Sequence, residues 1–413
     1  MYYRKAIVAI ADGLGDRPHP LLNELTPLQK AHTPNLDRVA SQGVCGMMDL
    51  IAPGIPVGTD MGHLVLFGGR SEDYPGRGPI EAYGIEMDTR PGDVIFRCNL
   101  ATVDECGIVI DRRAGRINQN TAELVAALNG MVLSDNVTVY MQAATEHRAV
   151  LIFRGANLSE NITDSDPKVP HDGKSYIIPQ ARDNSEGALQ MADLMRLFLN
   201  KSHVILDAHP INTERKRQGL LPANFILTRS PGRCQPLTSV PQKYGFNGCC
   251  IAGETTVLGV AKLLGYSTQS HPMFTANINT NLQLKAEHAL QALDNNDLVF
   301  VHFKATDLAG HDNLPFEKIT AIEHFDRMVG LILDNLPEYT YLALAADHST
   351  PCEIKEHTGE PVPVALCGNG IRQDNVMQFD EYACAKGGLN RLSGTDFIHT
   401  IIDYMGYSQK QGS

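Results

Sequence analysis

Three short segments of the sequence combine carboxylates with imidazoles. Asp307 and His311 lie four residues apart, Asp347 and His348 are adjacent, and His357 follows nine residues later. Carboxylate and imidazole ligands without thiolates fit manganese or zinc better than a cysteine-rich structural zinc site. A single Asp-His pair is common on protein surfaces and indicates little. The recurrence of the pairing predicts a site that binds divalent cations.

Each of these segments follows an apolar run that is typical of a buried strand. The runs cover 5–11, 297–303 and 339–346, and Asp12 comes directly after the first of them. Apolar residues at helical spacing over 319–332 separate the last two runs, which predicts a strand–helix–strand crossover. Parallel sheets built from such crossovers bind ligands at the carboxyl ends of their strands. The sequence therefore predicts a doubly wound, mostly parallel α/β sheet with one site assembled from both ends of the chain.

The middle of the chain has a different pattern. Strand-like runs rich in β-branched residues occur at 137–142 and 149–153, and an amphipathic stretch follows them. We expect a second α/β domain at 90–236, inserted into a first domain that comprises 1–89 and 237–413.

Composition excludes several classes of protein. The 413 residues include 47 acidic and 35 basic side chains, a net charge of −12, which argues against binding to the phosphate backbone of nucleic acids. The early apolar run at 6–11 is too short for a signal peptide or a membrane span. Nine cysteines form no CxxC pair, so we expect reduced thiols and a cytoplasmic protein without a membrane partner. The oligomeric state stays open.

The order of these pieces matches a known family over nearly the whole chain. The segments that carry the resemblance are Asp12-Gly-Leu-Gly-Asp-Arg-Pro18, Thr33-Pro-Asn-Leu-Asp-Arg38, Gly58-Thr-Asp-Met-Gly-His-Leu64, Gly76-Arg-Gly-Pro-Ile-Glu-Ala82, Asp111-Arg-Arg-Ala-Gly-Arg116, Pro222-Ala-Asn224, Leu227-Thr-Arg229, Thr306 to His311, and Asp347-His-Ser-Thr-Pro351 through His357. In them the chain resembles the archaeal-type, cofactor-independent (2,3-bisphosphoglycerate-independent) phosphoglycerate mutases of the alkaline phosphatase superfamily.

The resemblance implies an alkaline-phosphatase-like fold and a metal-dependent phosphotransferase. Such an enzyme interconverts 3-phosphoglycerate and 2-phosphoglycerate, a step of glycolysis and gluconeogenesis, without 2,3-bisphosphoglycerate as a cofactor. Its cofactors would be two divalent metal ions, manganese, zinc or magnesium. Its partner would be a small phosphorylated carboxylic acid, the substrate, and its catalytic nucleophile would become a phosphothreonine.

Site residues follow from the resemblance position by position. One metal would be held by Asp307, His311 and His357. The other would be held by Asp12, Asp347, His348 and the nucleophile, Thr59. The inserted domain would bind the carboxylate and phosphate of the substrate through arginines, whose guanidinium forks suit both groups. The candidates are Arg112, Arg113, Arg116, Arg148 and Arg229.

Three positions depart from the family pattern. Thr59 replaces the usual serine and keeps its hydroxyl, Leu258 replaces a lysine, and Pro56 replaces an arginine. Lys304 or Lys262 could supply the missing cation near the substrate. The alternative function is therefore a related phosphotransferase, or a phosphate or phosphonate hydrolase, with a different acceptor, for example a homoserine-kinase-like member. A non-catalytic binding protein is disfavoured because all seven predicted metal-binding positions are present.

Overall fold

The computed structural model describes residues 4–168, 173–410 and 412, and the chain divides into two compact units. The first unit comprises 1–74 and 237–413, and the second comprises 75–236. The second unit begins at Pro75 rather than at residue 90, because the helix that follows Pro75 packs on the strands of that unit. That the two units are separate domains stays a prediction.

The strands of both units are numbered here in chain order. They are β1 Lys5–Ala11, β2 Gly43–Asp49, β3 Val94–Val103, β4 Val109–Asp111, β5 Met131–Ser134, β6 Val137–Ala143, β7 Arg148–Gly155, β8 Phe225–Arg233, β9 Gly248–Ile251, β10 Ser267–Gln269, β11 Leu298–Phe303, β12 Thr340–Ala345, β13 Val362–Cys367 and β14 Asn390–Ser393.

The α-helices are numbered in the same way. They are α1 Pro27–Lys30, α2 Pro34–Ser41, α3 Thr59–Leu66, α4 Arg77–Gly84, α5 Thr121–Ala126, α6 Glu186–Asp207, α7 Pro210–Arg217, α8 Val240–Tyr244, α9 Thr255–Leu263, α10 Leu282–Ala292, α11 Ala305–His311, α12 Pro315–Asp334, α13 Glu381–Cys384 and α14 Gly394–Tyr404. Short 3₁₀ helices occur at Pro20–Leu22 and Ser71–Asp73.

The first unit contains an eight-stranded sheet in the order β10-β9-β11-β1-β12-β13-β2-β14. Its strands are parallel except β13, which is antiparallel to both of its neighbours. The central strand β1 is apolar because both of its faces are covered, and Ala6–Ala11 are buried. The predicted mostly parallel α/β sheet, with α11 and α12 in the crossover from β11 to β12, is confirmed.

Strand register places three strand ends at the same level of this sheet. Ala11 of β1 pairs with Phe303 of β11, and Ile10 pairs with Ala345 of β12. The residues that follow these strands therefore leave the sheet at one edge, although the residue after β1 lies about 290 to 335 positions from the other two in the sequence.

The second unit contains an antiparallel sheet in which β3 pairs with β4, β7 and β8, and β6 joins β7 to β5. One face of this sheet is apolar and packs with α6 to form the core of the unit. Phe96 and Cys98 of β3 lie in this core with Met195 and Phe198 of α6. Alternation along β3 places Arg97 and Asn99 on the opposite face.

All nine cysteines are free thiols, eight buried and Cys106 exposed. Within the described part of the chain, the helices are too short or too polar to cross a lipid bilayer.

Candidate active site and arginine cluster

The edge of the first sheet gathers a group of buried acids and an imidazole, here called the strand-end group: Asp12, Asp347 and His348. Asp12 follows β1, and the other two follow β12. His348 Nε2 lies 3.4 Å from Asp12 Oδ1 and 3.2 Å from Asp347 Oδ2. All three side chains are essentially inaccessible to solvent. Burial opposes a charge on His348, but Asp347 and Asp12 outweigh it and raise the pKa of the imidazole to about 10.

A second group, here called the helix group, consists of Asp307 and His311 of α11 with His357. Helical spacing places Asp307 and His311 on one face of α11, and His311 Nε2 lies 3.4 Å from Asp307 Oδ1. His357 Nε2 lies 3.5 Å from the same oxygen. The ring of His357 also stacks on that of His348, with centroids 3.6 Å apart, so the two groups adjoin.

In the helix group, backbone hydrogen bonds at Nδ1 orient both imidazoles so that their Nε2 atoms face Asp307. His311 Nδ1–H donates to Lys355 O at 2.9 Å, and His357 Nδ1–H donates to Val57 O at 2.8 Å. A carbonyl oxygen only accepts, so each neutral ring carries its proton on Nδ1. The two Nε2 atoms, 3.1 Å apart, therefore present lone pairs to each other and to Asp307. This donor set fits a cation, and the backbone carbonyls hold the rings in the ligating tautomer.

The strand-end group fits a cation for a related reason. Asp347 Oδ2 is buried and has no well-aligned hydrogen-bond donor among the described residues. His63 Nδ1 and His348 Nε2 each lie 3.2 Å from this oxygen without a well-aligned hydrogen bond to it, and a divalent cation is one group that would satisfy the buried carboxylate. Asp347 Oδ1 is already used, because it accepts a hydrogen bond from Gly13 N at 3.1 Å.

Thr59 is the first residue of α3, and its side chain faces the strand-end group. Its Oγ1 lies 3.3 Å from His348 Nε2 and 3.3 Å from Lys304 Nζ. The free N–H groups at a helix N-terminus favour negative charge on a nearby oxygen. The residue is 8% exposed, which leaves limited access for water.

Lys304 connects both groups through its ammonium. The ammonium lies 2.9 Å from Asp12 Oδ1 and 2.7 Å from Asp307 Oδ2. Burial favours the neutral amine, but these carboxylates and Asp347 outweigh it and raise the pKa of Lys304 well above its usual value. These contacts favour the ammonium form of Lys304 beside Thr59.

Two buried histidines at this edge were not predicted from the sequence. His302 Nε2–H donates to Asp12 Oδ2 at 2.8 Å, and His63 Nδ1–H donates to Thr59 O at 2.8 Å. Each has a sequence signal. His302 is a polar residue inside an apolar strand, and His63 lies one helical turn after Thr59.

Two of the departures from the family pattern lie in different surroundings. Leu258 is a buried apolar residue of α9, so no charge replaces the family lysine at that position. Pro56 is exposed in the loop before α3. The lysine in contact with Thr59 is Lys304.

The second unit carries a separate cluster of arginines on the polar face of its sheet. Arg229 of β8 pairs directly with Arg97 of β3, and Arg148 of β7 pairs with Asn99 of β3. All four therefore share one face. Burial and the neighbouring guanidinium groups lower the pKa of Arg97 to about 10, although Glu81 at 3.1 Å partly offsets this.

The predicted arginines differ in their surroundings within the second unit. Arg112 forms a two-pronged ion pair with the buried Asp166. Arg229 is half-buried, and its Nε has no hydrogen-bond partner among the described residues. Arg148, Arg113 and Arg116 are exposed, the last two in the turn after β4. Arg97 was missed by sequence reasoning, and its signal was an arginine two residues from Asn99 within an otherwise apolar strand.

The chain is similar in sequence to a known protein family. The sequence model of a family described as 2,3-bisphosphoglycerate-independent phosphoglycerate mutase matches residues 40–212. A protein of that name from Methanopyrus kandleri is 42% identical over 99% of this chain and 98% of its own length. Its namesake from Methanobrevibacter smithii is 41% identical over 99% of this chain and 100% of its own length.

Solved structures agree with the sequence comparison. A Pyrococcus horikoshii protein is similar over 100% of both chains, with a TM-score of 0.86 and 33% identity. The cofactor-independent phosphoglycerate mutase from Thermoplasma acidophilum is similar over 98% of this chain and 100% of its own, with a TM-score of 0.74 and 32% identity. By sequence over nearly its full length and by fold, the chain belongs to the 2,3-bisphosphoglycerate-independent phosphoglycerate mutases, a family of isomerases.

Proposed function

We propose that the chain interconverts 3-phosphoglycerate and 2-phosphoglycerate through a phosphothreonine at Thr59, with two divalent cations bound. The observation that carries the proposal is the position of Thr59 Oγ1, 3.3 Å from both His348 Nε2 and Lys304 Nζ at the start of α3. A hydroxyl in this position has cationic or polar groups beside its oxygen, where negative charge develops during the reaction. It also has little access to water.

The two groups at the sheet edge would each hold one cation. The helix group would supply Asp307, His311 and His357, and the strand-end group would supply Asp12, Asp347 and His348 together with Thr59. When bound, divalent cations lower the pKa of an adjacent hydroxyl and neutralise charge on a transferring phosphoryl group.

The covalent steps involve Thr59 and the two hydroxyl positions of glycerate. Thr59 Oγ1 bonds to phosphorus, the bond from phosphorus to the C3 oxygen breaks, and in net terms the hydroxyl proton of Thr59 passes to the C3 oxygen. The C2 oxygen then bonds to phosphorus, the bond from phosphorus to Thr59 breaks, and the proton of the C2 hydroxyl passes in net terms to Thr59. The glycerate thus keeps its composition, and no second phosphorylated cofactor is consumed.

Lys304 would replace the lysine that Leu258 lacks. Its ammonium donates to Thr59 Oγ1 and is held in place by Asp12 and Asp307. Because it stays protonated, it stabilises negative charge during transfer and takes no proton from Thr59. Arginines of the second unit, led by Arg112, Arg148 and Arg229, would hold the anionic groups of the substrate.

Phosphorus NMR tests this function directly. Metal-stripped full-length protein is loaded with manganese and given 3-phosphoglycerate without 2,3-bisphosphoglycerate. We expect 2-phosphoglycerate to appear in the wild type and not in a Thr59→Val control. Inorganic phosphate alone would instead identify a hydrolase, the alternative raised by Leu258 and Pro56. Recovery of unchanged substrate would exclude both.

A further inference from the structure

We propose that Thr350 is a positioning residue that holds both cation-binding groups in their ligating form; this inference rests on the proposed two-cation function. Thr350 is wholly buried. Its Oγ1 lies 2.8 Å from Asp307 Oδ1 in the helix group and 3.0 Å from His348 Nδ1 in the strand-end group. One hydroxyl therefore contacts a member of each group.

The direction of the two hydrogen bonds follows from counting protons. An ionised carboxylate only accepts, so the Thr350 hydroxyl donates its single proton to Asp307. The same oxygen must then accept from His348, which places a proton on His348 Nδ1. His348 Nε2, the proton of which a bound cation would displace, faces Asp12, Asp347 and Thr59.

The backbone of Thr350 is fixed by a buried cation. Thr350 N–H donates to Gly15 O at 3.0 Å, and Thr350 O accepts from Lys318 Nζ at 2.9 Å. Lys318 is itself wholly buried and pairs with Asp16 at 2.8 Å. Thr350 is therefore held to the loop after β1 by contacts that do not involve its hydroxyl.

Two glycines allow the close approach of Thr350 to the loop after β1 and to α11. A Cβ on Gly13 would lie 2.6 Å from Thr350 Oγ1, and a Cβ on Gly310 would lie 2.4 Å from Thr350 O. Gly13 also has φ of +63°, a conformation that favours glycine. Close packing on both sides keeps the hydroxyl at its two partners.

Removal of the hydroxyl tests this role. Thr350→Val keeps the shape, Thr350→Ala removes the hydroxyl without the risk of overpacking, and Thr350→Ser keeps the oxygen. Thr340→Val, at the far end of β12, is the matched control because Thr340 is also buried. Each variant is prepared as the full chain, stripped of metal, and titrated with manganese by calorimetry. Thermal unfolding without metal verifies that each variant folds.

We expect the Val and Ala variants to bind manganese about 10- to 100-fold more weakly at both sites, the usual cost of losing such a supporting contact. Thr350→Ser and Thr340→Val should bind like the wild type. If the wild type binds two ions and the Val and Ala variants bind them equally tightly, the proposed role of Thr350 is refuted. The two-cation function is unaffected by that result. Fewer than two ions bound to the wild type would refute the two-cation function, and this role with it.

A second measurement reports on the hydrogen bond itself and needs no metal. In protein labelled with ¹⁵N-histidine, the Nδ1 proton of His348 is assigned by its absence from His348→Gln. We expect this proton to exchange at least about tenfold faster with water in Thr350→Val than in the wild type or Thr350→Ser. An unchanged exchange rate in Thr350→Val would overturn the proposed contact.

Discussion

The two units of the chain each concentrate charge of one sign, and they do so differently. In the first unit the carboxylates of Asp12, Asp307 and Asp347 are almost wholly buried, and imidazoles and Lys304 lie among them. In the second unit Arg97 and Arg229 face each other across neighbouring strands, with Glu81 as the nearest acid to Arg97. Like charges at this separation destabilise a fold.

The difference indicates which ligand each unit lacks. The first unit has lone pairs and carboxylates in excess, so a cation would complete it. The second has guanidinium donors in excess, including the unpartnered Nε of Arg229, so an anion would complete it. Proteins retain such imbalances of charge where a ligand of opposite charge binds. Substitutions in each unit therefore test whether it binds the expected ligand.

The largest effect is expected at Thr59. Thr59→Val removes the nucleophilic oxygen and should lower the rate of phosphoryl transfer roughly 10⁴-fold or more, whereas Thr59→Ser should stay within about tenfold of the wild type. Mass spectrometry of acid-quenched enzyme should find phosphate on the peptide that contains Thr59. Transfer by Thr59→Val at a rate near wild type would rule out the covalent mechanism.

Removal of one imidazole should cost the first unit one cation. His311→Ala leaves the helix group with Asp307 and His357, too few ligands for tight binding, while the strand-end group is unchanged. Elemental analysis after gel filtration should find one manganese ion per chain instead of two. His324→Ala, at a partly buried position of α12, is the control and should keep both. Two ions in His311→Ala would contradict the assignment.

Substitution in the arginine cluster should weaken the binding of an anion, the substrate, rather than of a cation. Arg229→Ala removes a donor to the substrate and should raise KM about 10- to 100-fold with a smaller change in kcat. It also relieves the repulsion with Arg97, so the free energy of unfolding should rise by about 0.5 kcal/mol. Arg217→Ala, exposed on α7, should alter neither quantity. A fall in stability with unchanged KM would show that the cluster serves the fold.

A second buried lysine in the first unit should affect stability rather than catalysis. Burial lowers the pKa of Lys285 to about 8, although its ammonium donates a hydrogen bond to His302 O at 2.8 Å. Between pH 8 and the ordinary value of 10.5 the unfolded chain binds the extra proton. Stability should therefore rise with pH across this window, by about 1.4 kcal/mol per pH unit at most.

Lys285→Met should flatten that rise, because the side chain then carries no titrating group. Urea unfolding of metal-free wild type and variant at pH 7.5, 9 and 10 measures the difference between them. Parallel curves for the two proteins would show that Lys285 titrates at its ordinary pKa. Lys285 and Lys304, whose pKa is raised, would then not differ in the direction that burial and neighbouring acids predict.

The sequence by itself determined the sheet and the acidic half of the site. Each buried strand reads as an apolar run, and acids at the end of a run stand out because they interrupt it. The sequence pattern alone therefore predicts Asp12, Asp347 and His348 at one edge of the sheet. Similarity to a known family added Thr59, which no local pattern singles out, and assigned His357 to one of the two cations.

Only the tertiary structure decided which side chains face one another. Arg97 and Arg229 are paired by strands more than a hundred residues apart, and Thr350 contacts Asp307 and His348 through a single hydroxyl. The sequence offers both Lys304 and Lys262 as the cation near the substrate, and the contact of Lys304 with Thr59 is visible only in the tertiary structure. Strand register and the placement of a proton depend on contacts between distant segments, and neither leaves a periodic signal in the chain.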